Sequence, residues 1–389
     1  MLAQANALEH ALTATLDYSA FKKAVLNACR IVDKRNTIPV LSTLLIRTAR
    51  NGAVVSGTDL DIYTTTFVSG EVSDGFACIV DAHKLKAMMD KVKDARVITF
   101  SQTHERLVAT IGKLKLSLTQ DIDLDQYPED AGFRSDLKTT NVNFLLPSAQ
   151  LATILSKIEF AISTEETRYY LNGVYIHFDE NQKKMAFVAT DGHRLARYEI
   201  AMPEGSEAMQ EDGAIVPRKT IAELSRLVAR KDCPPDLSIS VSKIGIAFTI
   251  GHEEEILESK LVDGTFPDYA RVIPTCNEHT INVFTADFIN GIKQASAISS
   301  QRGTKITLKT GDGSLIISSK DADFGTASTD IVAFHDADIE MAFNGGYVLD
   351  VLARIDGKTT IIVHDAASPA LFKDTLDTDA TFVIMPEQI

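Results

Sequence analysis

Apolar residues fall at the i, i+3, i+4, i+7 spacing of a half-buried helix in three well-separated stretches. Phe21, Ala24, Val25, Ala28, Cys29 and Val32 form the first stripe; Leu151, Ile154, Leu155 and Ile158 form the second; Phe288, Ile292 and Ala295 form the third. Each predicted helix opens beside a residue able to cap it or to place acid in its first turn: Asp17 or Ser19, Ser148, and Thr285 or Asp287. A second amphipathic stretch follows a short apolar strand in every case, at 77–92, 213–228 and 341–355. The rest alternates with the period of two expected of half-buried strands, at 97–100, 107–111, 113–118, 237–241, 244–250, 306–309, 315–318 and 360–364. Asn51-Gly52, Asp312-Gly313 and Asp356-Gly357 are hairpin turn signals between them.

The three sets share one layout: helix, strands, helix, strands. Their period of roughly 130 residues is far above that of solenoid repeats, so each repeat is expected to be a domain with its own core. Boundaries near 136–141 and 277–281 give domains at 1–138, 139–279 and 280–389. The predicted class is α+β, three tandem copies of one module with helices on one side of antiparallel sheets.

Composition narrows the setting. The chain is 45% hydrophobic and 24% charged, which is globular rather than disordered. Cys29, Cys78, Cys233 and Cys276 lie far apart without a CxxC pair, so free thiols are expected rather than disulfides or zinc. The N-terminal stretch lacks the basic start and apolar run of a secretory signal, and no apolar run approaches the roughly 18 residues of a spanning helix. A soluble, cytoplasmic protein without cofactor or metal is expected.

The net charge of −14 argues against nucleic acid until its distribution is considered. Acid concentrates at 121–125, 253–255, 321–323 and 336–338, whereas the helices are basic. Lys22, Lys23, Arg30, Lys34 and Arg35 outnumber Asp17 and Asp33 around the first; Arg218, Lys219, Arg226, Arg230 and Lys231 stand against Glu223 in the middle repeat. Helices sharing a surface would form a positive strip suited to weak, salt-sensitive, sequence-blind contact with a polyanion.

Few residues look catalytic. Thr190-Asp191-Gly192-His193-Arg194 offers an Asp and a His two apart, a pairing that suits general-base chemistry. No G-x-S-x-G, phosphate loop or metal spacing accompanies it, and a turn opened by Gly192 and capped by Asp191 explains the same residues. The chain is therefore expected not to be an enzyme. Thr381 to Pro386 is unusually apolar for a chain end, and Met385 with Pro386 could border an adaptable groove for peptides.

Several of these stretches resemble the bacterial DNA polymerase III β subunits, the replication sliding clamps. They are RYYLNG at 168–173, ATDGHRLA at 189–196, SKLVDGTFPDY at 259–269, YVLDVL at 347–352, VIMP at 383–386 and, in the first repeat, IPVL at 38–41 and GTDL at 57–60. The resemblance runs in order from about residue 12 to the end. It implies a head-to-tail homodimeric ring, with helices facing a hole through which double-stranded DNA passes. It also implies a peptide-binding pocket for the replicative polymerase, the clamp loader and repair proteins. By position the pocket takes Leu171, Thr190, Gly192, His193, Arg194, Leu195, Pro267, Arg271, Val272, Asn344, Tyr347, Val383, Ile384, Met385 and Pro386. The DNA-facing groups would be Arg35, Tyr169, Tyr170, Arg218 and Lys219. The dimer contact would involve the lysine-bearing strand with Lys113, Lys115, Leu116 and Leu118, and Ile298 in the third repeat. Three features depart from the family pattern: Glu387 near the end, the extension 1–11, and Glu165 where a polar DNA contact is expected. Two rival readings stay open at this point: an enzyme using Asp191 and His193, and a monomeric adaptor without a DNA role.

Overall fold

The computed structural model describes residues 11–34, 36–103, 106–118, 122–129, 132–140, 142–179, 183–207, 209, 213–251, 254–274, 279–298 and 304–388. Arg35, Cys276, His252 and most of the N-terminal extension lie outside them. The chain packs as two compact units, one of residues up to Ser148 with Ala229–Leu261, the other of Ala149–Val228 with Val262 onward.

In the first unit one antiparallel sheet runs from Leu114–Leu118 through Leu107–Ile111, Val97–Gln102, Leu12–Asp17, Ile62–Val72, Glu255–Lys260, Gly245–Ile250 and Asp236–Val241 to Val142–Pro147. Strands Thr43–Ala49, Gly52–Thr58 and Ala77–Asp81 join it beside Ile62–Val72. Helix α1 (Tyr18–Ile31) is capped by Asp17, whose side chain accepts from Ala20 N; α2 (Ala82–Met89) is capped by Asp81 in the same way. The predicted stripe on α1 is buried: Phe21, Ala24, Val25, Ala28 and Val32 join Leu16, Phe76 and Phe100 in one core. Phe21 meets Phe100 edge to face at 5.5 Å. A Cβ on Gly57 would sit 2.8 Å from Ala28 Cβ, so this strand approaches α1 only because position 57 is glycine. Helix α3 (Gly132–Thr139), unforeseen in the sequence, sets Phe133 and Leu137 against Tyr63 and Ala247.

In the second unit a further antiparallel sheet runs Ala214–Pro217, Gly173–Asp179, Lys184–Thr190, Arg194–Ala201, Ala380–Ile384, Ala370–Asp374, Lys358–Val363, His279–Phe284, Gly325–His335, Ser314–Asp321, Lys305–Gly311, Glu340–Asn344. Helices α4 (Ser148–Ile158), α5 (Arg218–Val228), α6 (Thr285–Ser296) and α7 (Gly345–Leu352) accompany it. Asn344 caps α7 through the amides of Gly346 and Tyr347. In α6 the expected first-turn acid is Asp287; Phe284 occupies the cap position, and Thr285 shares a hydrogen bond with the Thr359 hydroxyl at 2.9 Å.

The first repeat has its own core, drawn from residues 14–111, and the repeats are joined at their sheet edges. Strand Ile62–Val72 of the first repeat pairs with Glu255–Lys260 of the middle one, and Arg194–Ala201 pairs with Ala380–Ile384 of the last. Repeat edges that would otherwise expose unpaired backbone groups are thus joined into continuous sheets.

Cys29, Cys78 and Cys233 are free thiols. Burial pushes the Cys29 thiol up to about 11 and that of Cys78 higher still, which keeps both protonated and unreactive. Among the described residues no group of three or more His, Cys, Asp and Glu could hold a metal, and no helix is long and apolar enough to cross a membrane.

Candidate peptide-binding site

Strands Lys184–Thr190 and Arg194–Ala201 pair antiparallel with Thr190 opposite Leu195, and the chain reverses at Asp191–His193. Gly192 adopts φ +89°, a conformation that costs glycine little and other residues much. Asp191 Oδ1 accepts from the amides of His193 (2.9 Å) and Arg194 (3.0 Å), and Oδ2 accepts from Arg194 Nε (3.0 Å). The Thr190 hydroxyl donates to Arg194 O at 2.7 Å and accepts from Gly192 N at 3.1 Å. The carboxylate is thereby committed to the turn, while the His193 ring stacks on Tyr347 at 6.1 Å. This is the capped glycine turn that the residue types suggested.

Arg194 fastens the turn to its surroundings. Its side chain is 12% exposed, donates to Asp350 at 2.5 Å and to Phe160 O at 2.9 Å, and lies over the rings of Phe160 and Tyr347. Beside the turn is a cavity of about 140 Å³ lined by Leu171, Thr190, Gly192, His193, Arg194, Leu195, Pro267, Asp268, Tyr269, Val272, Val383 and Met385. Leu171, Leu195 and Val383 form its buried floor, continuous with Val188, Ile215, Phe266 and Leu371. Val272 and Met385 are exposed at its lip. The Met385 amide donates to His193 O at 2.9 Å, holding the C-terminal strand against the turn.

Ten of the fifteen residues expected in the pocket line this cavity. The other five do not. Ile384 is fully buried because it alternates with Val383 and Met385 along one strand and points to the opposite face. Asn344 is engaged as the α7 cap, and Tyr347 borders the site through His193 and Arg194. Arg271 is exposed and paired with Asp268 at 2.7 Å, and Pro386 lies just beyond the strand end. Tyr269 and Asp268 were missed, although both belong to the 259–269 stretch that carries the resemblance.

An apolar cavity with a polar, hydrogen-bonded rim receives one or two apolar side chains of a peptide and orients its backbone. Residues 13–130, 145–268 and 270–388 match in turn the family models for the N-terminal, central and C-terminal domains of the DNA polymerase III beta subunit. The beta sliding clamp of Caulobacter vibrioides is 33% identical over 96% of this chain and 99% of its own. The chain belongs to the beta sliding clamp family. A solved clamp from Bartonella birtlesii bound to griselimycin superposes with a TM-score of 0.90 at 33% identity, covering 97% of this chain and 100% of its own. The Escherichia coli clamp is 28% identical over 91% of this chain and 94% of its own. The chain is accordingly a DNA sliding clamp of three clamp domains, and the family is one of processivity subunits rather than enzymes, which removes the reading of Asp191 and His193 as a catalytic pair.

The positions expected to face DNA lie partly together on this clamp. Tyr169 is 54% exposed and meets Tyr170 edge to face at 5.8 Å, while Tyr170 packs partly on the pocket core. Arg218 and Lys219 open α5 and are exposed; the Arg218 amide donates to Asn172 O, bringing this helix start beside the two tyrosines. Glu165 is paired with Arg168 at 2.7 Å. Of the expected dimer residues, Leu114–Leu118 is the outermost strand of its sheet among the described residues, Lys113 precedes it in a turn, and Ile298 is half-buried just after α6.

A Cβ at position 192 would meet Arg168 Nη1 at 2.5 Å, and that arginine can move away. The positive φ cannot be escaped, so Gly192→Ala is expected to cost about 1–2 kcal/mol in urea denaturation. A loss below a few tenths would show that the turn relaxes freely.

Proposed function

We propose that this clamp closes as a head-to-tail homodimeric ring around double-stranded DNA and confers processivity on the replicative polymerase. The 140 Å³ cavity is its docking point for the polymerase, the clamp loader and repair proteins. The observation that carries this reading is the convergence of Leu171, Leu195, Val383 and the exposed lip on one apolar cavity walled by a rigid turn. The domains are assigned to 1–138, 139–279 and 280–389, and the protein to the cytoplasm.

Two unpaired strand edges favour the dimer. Leu114–Leu118 ends its sheet beside Lys113 and Lys115. Residues 325–332 of Gly325–His335 pair only with Ser314–Asp321 among the described residues, leaving the other edge open next to Asp323 and Asp330. Edges of opposite charge on two copies can pair head to tail and hide both from aggregation. Arg218, Lys219, Tyr169 and Tyr170 supply phosphate contact and a stacking surface without reading sequence.

Size-exclusion chromatography with light scattering should give a dimer. Loaded onto nicked circular DNA, the clamp should stay on circles and leave once they are linearised. A monomer, or retention indifferent to DNA ends, would reject the ring and return weight to the adaptor.

A further inference from the structure

Tyr269, one wall of the cavity, is held from behind. Its hydroxyl lies 2.8 Å from His177 Nε2, and the Arg197 guanidinium is near enough to act electrostatically on the same tyrosine. His177 stacks on Tyr175 at 4.8 Å, Tyr175 stacks on Phe266 at 4.7 Å with the rings nearly parallel, and Phe266 meets Tyr269 edge to face. The segment carrying Pro267, Asp268 and Tyr269 is therefore clipped to strand Gly173–Asp179 by one hydrogen bond and an aromatic stack.

The hydrogen-bond partners fix the tautomer. His177 Nδ1 lies 3.3 Å from Phe178 O, which can only accept, so Nδ1 carries the proton and the bare Nε2 accepts from the Tyr269 hydroxyl. Burial raises Tyr269 to about 12, so its oxygen keeps its hydrogen throughout the physiological range. That oxygen donates its hydrogen to His177. A second ring proton would face the tyrosine hydrogen donor to donor, leave that hydrogen without its acceptor, and place a cation near Arg197. Burial is the largest influence and holds His177 below the ordinary imidazole value; Asp179 on its own strand and Glu199 on Arg194–Ala201 favour the imidazolium, and Arg197 opposes it.

We propose that His177 is a positioning residue of the peptide site, fixing Tyr269 through its neutral Nε2 so that protonation of His177 loosens the wall and weakens peptide binding. The inference rests on the cavity being the peptide site. The sign follows from linkage: bound peptide holds the wall and favours neutral His177, so affinity is full above the free-state value. It declines as pH falls below about 6.5 and through that lowered value.

The test is fluorescence polarisation with a fluorescein-labelled decapeptide ending in Leu-Phe, titrated with the intact clamp from about pH 7.5 to about pH 5.5. Wild type should lose affinity progressively toward the acid end of this range. His177→Gln retains an amide oxygen that can accept from Tyr269, and should bind like wild type at neutral pH with a flat profile. His177→Phe should bind several-fold more weakly at neutral pH and also be flat, with thermal melts showing that both variants fold. A wild-type slope in His177→Gln, or full neutral-pH affinity in His177→Phe, would overturn the role of His177. Val272→Glu, at the cavity lip, separates the two readings: if it binds the peptide as well as wild type does, the cavity is not the peptide site and the proposal falls with it.

Discussion

Lys157→Met is expected to destabilise the protein by about 3–5 kcal/mol, because it strands a buried carboxylate. Lys157 lies on the last turn of α4 with its side chain 11% exposed; Asp374, 3.4 Å away, is 1% exposed. Asp377 is 3.6 Å from the same ammonium, which also donates to Arg354 O. Methionine matches the length of the lysine but leaves Asp374 with only the amides of Asp356 and Leu376 and leaves the Arg354 carbonyl unpaired. Adding Asp374→Asn should recover part of the loss, since a neutral amide removes the uncompensated charge while keeping an acceptor. Urea denaturation of the wild type and these two variants decides the matter. A cost under about 1 kcal/mol for the single change would mean that water or a side-chain shift rescues Asp374.

The burial of Lys157 shows what a sequence conceals. Period 3.6 reports which face of a helix is buried, and it located α1, α4 and α6 well: Phe21, Leu155 and Ile292 are all in cores. It cannot report which repeat lies opposite. Lys157 belongs to the middle repeat and Asp374 to the last, and they meet only because Arg194–Ala201 and Ala380–Ile384 pair across the repeat seam. Part of the helical charge surplus is neutralised within the middle repeat itself. Arg230 is bound to buried Glu255, which also accepts from Asn27, and Arg226 to buried Glu223 three residues earlier on the same helix. Helix α3 escaped because only Phe133 and Leu137 mark its buried face within a polar sequence.

The site divides in the same way. The turn was legible from residue types alone, since a glycine between Asp and His already implies a positive φ and a capping carboxylate. The pocket was legible only through resemblance, because its floor joins Leu171, Leu195 and Val383 from distant strands and turns. Alternation could have excluded Ile384, as neighbours in a strand cannot line one cavity from the same face. No local pattern announces that Tyr269 is bonded to His177, 92 residues away.

Arg194→Ala should cost both stability and peptide affinity, and it tests whether the turn's rigidity matters to binding. The guanidinium joins Asp191 in the turn, Asp350 on α7 and the Phe160 carbonyl, and lies between the rings of Phe160 and Tyr347. Asp350 is half exposed and can turn to water, whereas Asp191 is 17% exposed and the Phe160 carbonyl loses its side-chain donor. The expected loss is therefore about 2–3 kcal/mol, below that of Lys157→Met. Peptide affinity should fall by about tenfold or more, since the wall formed by Thr190, His193 and Leu195 no longer has a fixed position. Lysine should not rescue it: one ammonium cannot reach acceptors on three sides or stack between two rings. Asp350→Ala, which removes only the exposed partner, should cost about 1 kcal/mol or less and leave affinity nearly unchanged. If Arg194→Lys binds peptide like wild type, a positive charge near the cavity suffices, and the fixed geometry of the turn is not what the peptide reads.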